Sequence, residues 1–248
     1  MPLPKINSPI FELILPSTKQ TVKYRPFLVK EQKILLMAGE SNDQNANLIA
    51  IKQIINNCAI DKIDVEKLPT FDLEYLFINL RAKSIGENVE LRMRHRTGYN
   101  DEGVECDHVT LVDVNLLEIE VDQGVGHTDN IILDEENQVG VKMKYPTLDE
   151  ASLKNLNKKS KNQMDIAMET IANCIEYIYD KEEIYKIEDV TKKELFEFID
   201  NLSQEQFLKI NNFFTSMPKV KKEIEWKCGG CGSHDKVTLE GMSNFFVL

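Results

Sequence analysis

The segment Glu225–Gly241 reads EWKCGGCGSHDKVTLEG. One alternating run enters a glycine-rich Cys-x-x-Cys turn and a second leaves it, the pattern of a short ribbon hairpin. Such a turn lets the Cys228 and Cys231 sulfurs reach one ion. Gly229, Gly230 and Gly232 allow the backbone to wrap that closely. Zinc in a tetrahedral site takes four ligands, and the stretch itself offers only one more donor of the right type, His234. If the knuckle holds zinc, the fold must bring donors to it from elsewhere.

The candidates surround one earlier turn. NVELRMRHR, TGYNDEG and VECDHVTLVDV (88–114) alternate as a long antiparallel hairpin, with His95, Cys106 and His108 about its turn. That turn has no Cys-x-x-Cys of its own, so three readings of Cys228 and Cys231 stand side by side. They complete a zinc site with outside ligands, or form a tight turn with free thiols, or act as a redox pair. A reactive pair gains its low pKa largely at a helix N-terminus, and here a strand follows. Taken singly, His95, His108 and His234 also read as exposed non-ligand histidines, and His127 in DQGVGHTDN reads as a loop residue. The two hairpins echo one another, each running through a polar turn into a strand containing VTL. This resembles a short internal duplication.

Working outward, IFELILP and TVKYRPFLV read as a strand pair across STKQ, with Val22 and Tyr24 on one face and Pro26 at the exit. KEQKILLMAGE and NANLIAIKQIINNC are amphipathic helices, burying Ile34, Leu35 and Ala38, then Leu48, Ile51, Ile54, Ile55 and Cys58. A third helix in TFDLEYLFINLRAKSIGE would be capped by Asp72, buried through Leu73, Leu76, Phe77 and Leu80, and ended by Gly86. NIILDEENQVGVKMKYP reads as a second hairpin turning at EENQ.

From residue 147 the pattern is helical again. Capping boxes stand at Thr147–Glu150, Thr191–Glu194 and Ser203–Gln206. Behind them lie stripes at Met164, Ala167, Met168, Ile171 and Ile175, at Leu195, Phe196, Ile199 and Leu202, and at Phe207, Ile210, Phe213, Phe214 and Met217, with Pro218 as the stop. The expected fold class is α+β: an N-terminal strand pair with helices, central antiparallel hairpins, and a helical C-terminal part closed by the Cys-x-x-Cys ribbon. A division at 1–146 and 147–248 follows, with the ribbon free to pack back on the central hairpin.

Composition narrows function. Forty-one acids against 30 bases give a net charge of −11, and the short basic stretches KNLNKKSKNQ and MPKVKKE read as solvated helix faces, so nucleic acid is not an expected partner. No apolar run reaches the ~20 residues of a membrane span, and the start lacks the pattern of a signal peptide. A reducing cytoplasm is therefore expected. Cys58 and Cys174, inside helical patterns, read as small buried hydrophobes. No G-x-S-x-G, P-loop, H-E-x-x-H or dinucleotide glycine motif occurs, so no catalytic residues are assigned and the expectation is a non-enzyme.

The order of parts is itself a signal. LPKINSPIFELILPSTKQTVKYRPFLVKEQKILLMA, INLRAKSIGENVEL, MKYPTL and the KCGGCG…VTLEGMSNFF tail together resemble the baseplate hub proteins of T4-type tailed phages, over nearly the whole chain. The most specific pieces are Lys23–Ala38 and Leu80–Leu91. The resemblance implies a Cys-x-x-Cys turn in the first hairpin, and His95 and Cys106 stand here where that fuller knuckle would be. It implies no catalytic residue. It implies a protein that binds hub and tail proteins in the host cytoplasm during assembly. The chain length favours the family's hub assembly factor, with a permanent structural hub subunit of the virion as the alternative. A zinc-dependent enzyme with an open coordination position is a more distant one.

Overall fold

Every strand ladder among the described residues is antiparallel. Where consecutive strands are joined by a short turn, no other pairing is open to them. The computed structural model describes residues 7–40, 44–100, 102–147 and 163–241. By internal contacts the chain divides into two units, one drawn from Met1–Val65, Phe71–Asp122 and Lys219–Leu248, the other from Glu66–Thr70 and Gln123–Pro218. The architecture is the expected α+β mixture of hairpins and helices. No helix among the described residues is long and apolar enough to cross a membrane.

In the first unit β1 (Phe11–Ile14) pairs with β2 (Thr21–Tyr24), and the period of two buries Val22 and Tyr24. Helix α1 (Val29–Glu40) buries Leu35 and Ala38, and α2 (Gln44–Cys58) buries Ile51, Ile54, Ile55 and Cys58. Burial pushes the Cys58 thiol up to about 11, the behaviour of an inert core cysteine. Helix α3 (Thr70–Ile85) stops just before Gly86 and buries the expected stripe, but also Phe71, Ile78 and Ala82. A helix covered on most of its circumference is the centre of its unit, not a surface element.

The β1–β2 hairpin is fastened along α3 at two places. The Ser17 N–H donates to Asp72 Oδ1 at 3.0 Å, and its hydroxyl donates to the other carboxyl oxygen. Farther along, the Phe27 N–H donates to Ser84 Oγ at 2.9 Å. Asp72 is therefore not the cap of its own helix. It lies inside the first turn, fully buried, and holds the tip of another element. Burial raises its pKa, and the two Ser17 bonds offset part of that rise.

Beyond α3 come β3 (Asn88–Met93) and β4 (Thr110–Asn115), paired in register from Asn88↔Asn115 to Met93↔Thr110. Val89, Leu91 and Met93 point inward by strand alternation. A three-stranded sheet follows in the order β11–β10–β5, built from β5 (Glu120–Asp122), β10 (Lys219–Lys227) and β11 (His234–Glu240). The ribbon hairpin is β10–β11.

The second unit is a sheet in the order β6–β7–β8–β9 with helices on one face. Strands β6 (Asn130–Asp134) and β7 (Val139–Met143) form the expected hairpin. Helix α4 (Gln163–Cys174) then gives way directly to β8 (Ile175–Tyr179), which pairs with β7 on one side and β9 (Ile184–Lys186) on the other. Ile175 thus leaves the helical stripe to which its spacing assigns it and opens a strand, paired with Met143. Gly140 faces Tyr179 in this sheet, and a Cβ there would lie 2.3 Å from the phenol oxygen. Helices α5 (Lys192–Asp200) and α6 (Gln204–Ser216) begin with complete capping boxes at Thr191–Glu194 and Ser203–Gln206. They bury Leu195, Ile199, Ile210 and Phe213 against Ile131, Val141, Ile171 and Ile178. The Thr147–Glu150 box and the tail beyond Gly241 lie outside the described residues.

One buried charge in the first unit has a pH signature. Glu31 is 0% exposed; one carboxyl oxygen accepts the Leu28 N–H at 2.9 Å and the other faces Arg25 Nη2 at 3.2 Å. Burial works against its ionisation, but the Leu28 and Arg25 hydrogen bonds outweigh it and the pKa is lowered. A lowered carboxyl pKa contributes stability above the unfolded-state value of roughly 4.3 and loses it as pH falls through the folded value. Glu31→Gln should cost on the order of 1–3 kcal/mol at neutral pH. Denaturant melts should show that gap closing as pH drops below the carboxylate range; a gap independent of pH would contradict the assignment.

Candidate metal centre

The donors arrive on two turns, each locked by its own backbone. After β3, the Gly98 N–H donates to the His95 carbonyl at 3.2 Å and the Cys106 N–H to the Gly98 carbonyl at 2.7 Å. Asn100 organises the loop between them, its Oδ1 accepting the Glu102 and Val104 N–H groups at 3.1 and 2.8 Å. In the ribbon, the Cys228 N–H donates to the Ser233 carbonyl and the Gly232 N–H to the Cys228 carbonyl, both at 2.9 Å. Gly232 takes φ +78°, the left-handed conformation that glycine adopts without penalty.

The two turns meet. Cys106 Sγ lies 3.7 Å from Cys228 Sγ, and Cys231 Sγ lies 3.4 Å from His95 Nε2. All four donor atoms fall within 4.8 Å of one another, close enough to share a metal ion. Among the described residues this is the one group of three or more His, Cys, Asp or Glu donors so placed. Other bonds hold the turns together. Asn100 Nδ2 donates to Ser233 Oγ at 3.2 Å, and the Gly229 N–H donates to Thr110 Oγ1 at 2.9 Å. His95 is only 3% exposed, its ring 5.3 Å from that of Trp226 and its Nδ1 3.1 Å from Asp235 Oδ2.

Of the six residues the sequence nominates, Cys228, Cys231, His95 and Cys106 converge, while His108 and His234 stay outside. Strand alternation explains His234: it sits opposite Lys227 on the exposed face of the ribbon, whereas Trp226 and Asp235 form the next pair. His108 lies against the knuckle glycines instead of joining the donors. A Cβ on Gly230 would lie 2.7 Å from His108 Cβ, and one on Gly229 would lie 3.1 Å from its Nε2. The glycines make room for the imidazole. His127 is a loop residue, as expected, and belongs to the second unit, stacked on Tyr145 with its Nδ1 3.0 Å from Ser216 Oγ.

Electrostatics within the cluster favour a thiolate beside an imidazolium. Hydrogen bonds from the Ser233 hydroxyl and N–H, with help from His95, bring the Cys231 thiol down to about 6. Cys231 in turn is the main cause of a His95 pKa near 9, with Cys228 and Asp235 adding to it against the effect of burial. Cys228 is lowered, chiefly by the Cys231 backbone N–H. Cys106 is raised: a His108 backbone hydrogen bond pulls down, but burial and the neighbouring sulfurs of Cys228 and Cys231 prevail. At least one sulfur is thus ready to bind a cation near neutral pH without first losing a proton.

Asp235, Asn100, Ser233 and Thr110 are absent from the sequence-derived list. For Asp235 a signal existed: in a strand it must face opposite to His234. Asn100, Ser233 and Thr110 gave none, because their roles depend on which turn they meet.

No curated protein and no solved structure matches the chain. A family model described as T4 bacteriophage base plate protein matches residues 8–247. The chain belongs to that family.

Proposed function

We propose, from the premise that the chain is a T4-type base plate protein, that it is an assembly factor for the central hub of a contractile tail. It works in the host cytoplasm by binding hub proteins and catalyses no reaction. The observation that carries this reading is the donor set. Three cysteines and one histidine supply the four donors that a closed structural metal site takes, whereas catalytic zinc keeps a position open for water or substrate.

Zinc is the ion this set suits. Thiolate and imidazole donors in fours favour it, and bonds of about 2.3 Å to sulfur and 2.0–2.1 Å to nitrogen set tetrahedral edges of about 3.8 Å (S to S) and 3.6 Å (S to N). The 3.7 and 3.4 Å separations lie close to those edges. The metal then acts as a clip between the first hairpin and the ribbon, keeping the surface they share in one shape.

Contact faces support the protein-binding part of the reading. Val29, Leu36 and Met37 fall on one side of α1 and are 68, 48 and 72% exposed. Apolar side chains grouped in this way mark interaction sites more often than isolated ones do. The double substitution V29E/M37E should weaken capture of hub proteins from infected-cell lysate at least tenfold while leaving the melting temperature unchanged. Equal capture would remove α1 from the contact face. Mass spectrometry of purified virions separates the assembly factor from a permanent hub subunit: the factor leaves no stoichiometric peptides, and finding them would overturn the transient role.

Metal removal gives a further test. The chain has a single tryptophan, Trp226, and its ring adjoins that of His95. A chelator should shift Trp226 emission as the ribbon loosens, while far-ultraviolet dichroism from the helices stays nearly constant. Global unfolding on chelation would contradict a local clip.

A further inference from the structure

We infer that Asp235 is the positioning residue of this metal centre, setting metal affinity without touching the ion; the inference rests on the zinc reading of the cluster. Imidazole has two nitrogens, and a histidine that binds metal through one of them needs its proton on the other. His95 Nε2 faces Cys231 Sγ at 3.4 Å, so Nε2 is the nitrogen aimed into the donor cluster. Nδ1 faces the Asp235 carboxylate at 3.1 Å. With its proton on Nδ1, His95 donates to Asp235 Oδ2 and leaves the Nε2 lone pair free for the ion.

The carboxylate is itself held. Its other oxygen, Oδ1, accepts the Lys236 N–H at 2.7 Å, and the Trp226↔Asp235 pairing fixes the strand position from which it reaches His95. The side chain of His95 is 1% exposed and that of Asp235 is 30% exposed, so the imidazole has little access to water as an alternative partner. Ring contact with Trp226 restricts rotation about the remaining axis. One strand of the ribbon therefore contributes Asp235 to orient the ligand carried by the other hairpin, and its flanking turn contributes Cys228 and Cys231.

The test uses the full chain purified with zinc. Metal content is measured by mass spectrometry, and affinity by competition with a chromophoric chelator. Cobalt substituted for zinc reports the ligands through the intensity of its sulfur charge-transfer band. Wild type should hold one zinc with a three-thiolate cobalt spectrum. Asp235→Ala should keep that spectrum but bind zinc roughly 10–100-fold more weakly. Asp235→Asn retains an acceptor oxygen and should recover most of the loss; His95→Ala should change the cobalt spectrum itself. Helical dichroism equal to wild type identifies each variant as folded. If Asp235→Ala binds zinc within twofold of wild type, the positioning role is overturned while the zinc site stands. If wild type retains no zinc and shows no three-thiolate spectrum, the zinc reading fails and takes the positioning role with it.

Discussion

The fold of the first unit turns on the meeting of two turns that lie more than a hundred residues apart in sequence. Cys106 and Cys228 are separated by 122 positions, and His95 and Cys231 by 136. Three thiols and a nearly buried imidazole are poor material for an apolar core. His95 and Cys228 are buried, Cys106 is half-buried and Cys231 is exposed, so the cost of burying polar atoms falls chiefly on the imidazole. One ion shared among all four would turn that cost into a cross-link. Such a link constrains the unfolded chain across a long loop, and the closure penalty grows only slowly with loop length. The ancillary bonds, Asn100 to Ser233 and Gly229 to Thr110, tie the two turns to one another beside the donors.

A second constraint explains how the tail can return at all. The chain leaves the first unit after Asp122 and re-enters it at Lys219. Those two residues are partners in the β5–β10 ladder, followed by Val121↔Val220 and Glu120↔Lys221. The excursion through 123–218 thus begins and ends at adjacent points on paired strands. Strand pairing closes it without strain. Re-entry at that point also sets the register of β10, which carries Trp226 inward and delivers Cys228 at the strand end.

What could be read from the sequence was whatever is decided locally. Thr191 and Ser203 act within one helical turn, and both boxes form as their spacing dictates. Val22 and Tyr24, or Leu73 and Leu76, follow a period that needs no knowledge of the partner surface. Cys228 and Cys231 announce themselves through glycine and spacing. The misreadings share the opposite property. Asp72 looks like a helix cap because the turn it holds, at Ser17, is 55 residues away. Ile175 extends a helical stripe convincingly, and only its ladder with β7 converts it to strand. Choosing between His95 and His108 required knowing that the knuckle glycines lie against one imidazole and the donor sulfurs against the other.

The same geometry separates what the centre does from where the protein meets its partners. An ion held by all four side chains would have no vacant position, and a ligand of the protein would reach it only by displacing one of these donors. Metal binding and recognition by the protein would then be different problems, solved in different places. Under the proposed function, recognition falls to surfaces such as the outer side of α1, where Val29, Leu36 and Met37 stand in solvent. Those residues sit inside Lys23–Ala38, one of the stretches that most resembles the phage hub proteins. The buried half of that stretch is accounted for by packing, through Leu35 and Ala38, and by the Glu31–Arg25 pair. Packing does not account for its apolar exposed half; a partner protein that covers it would.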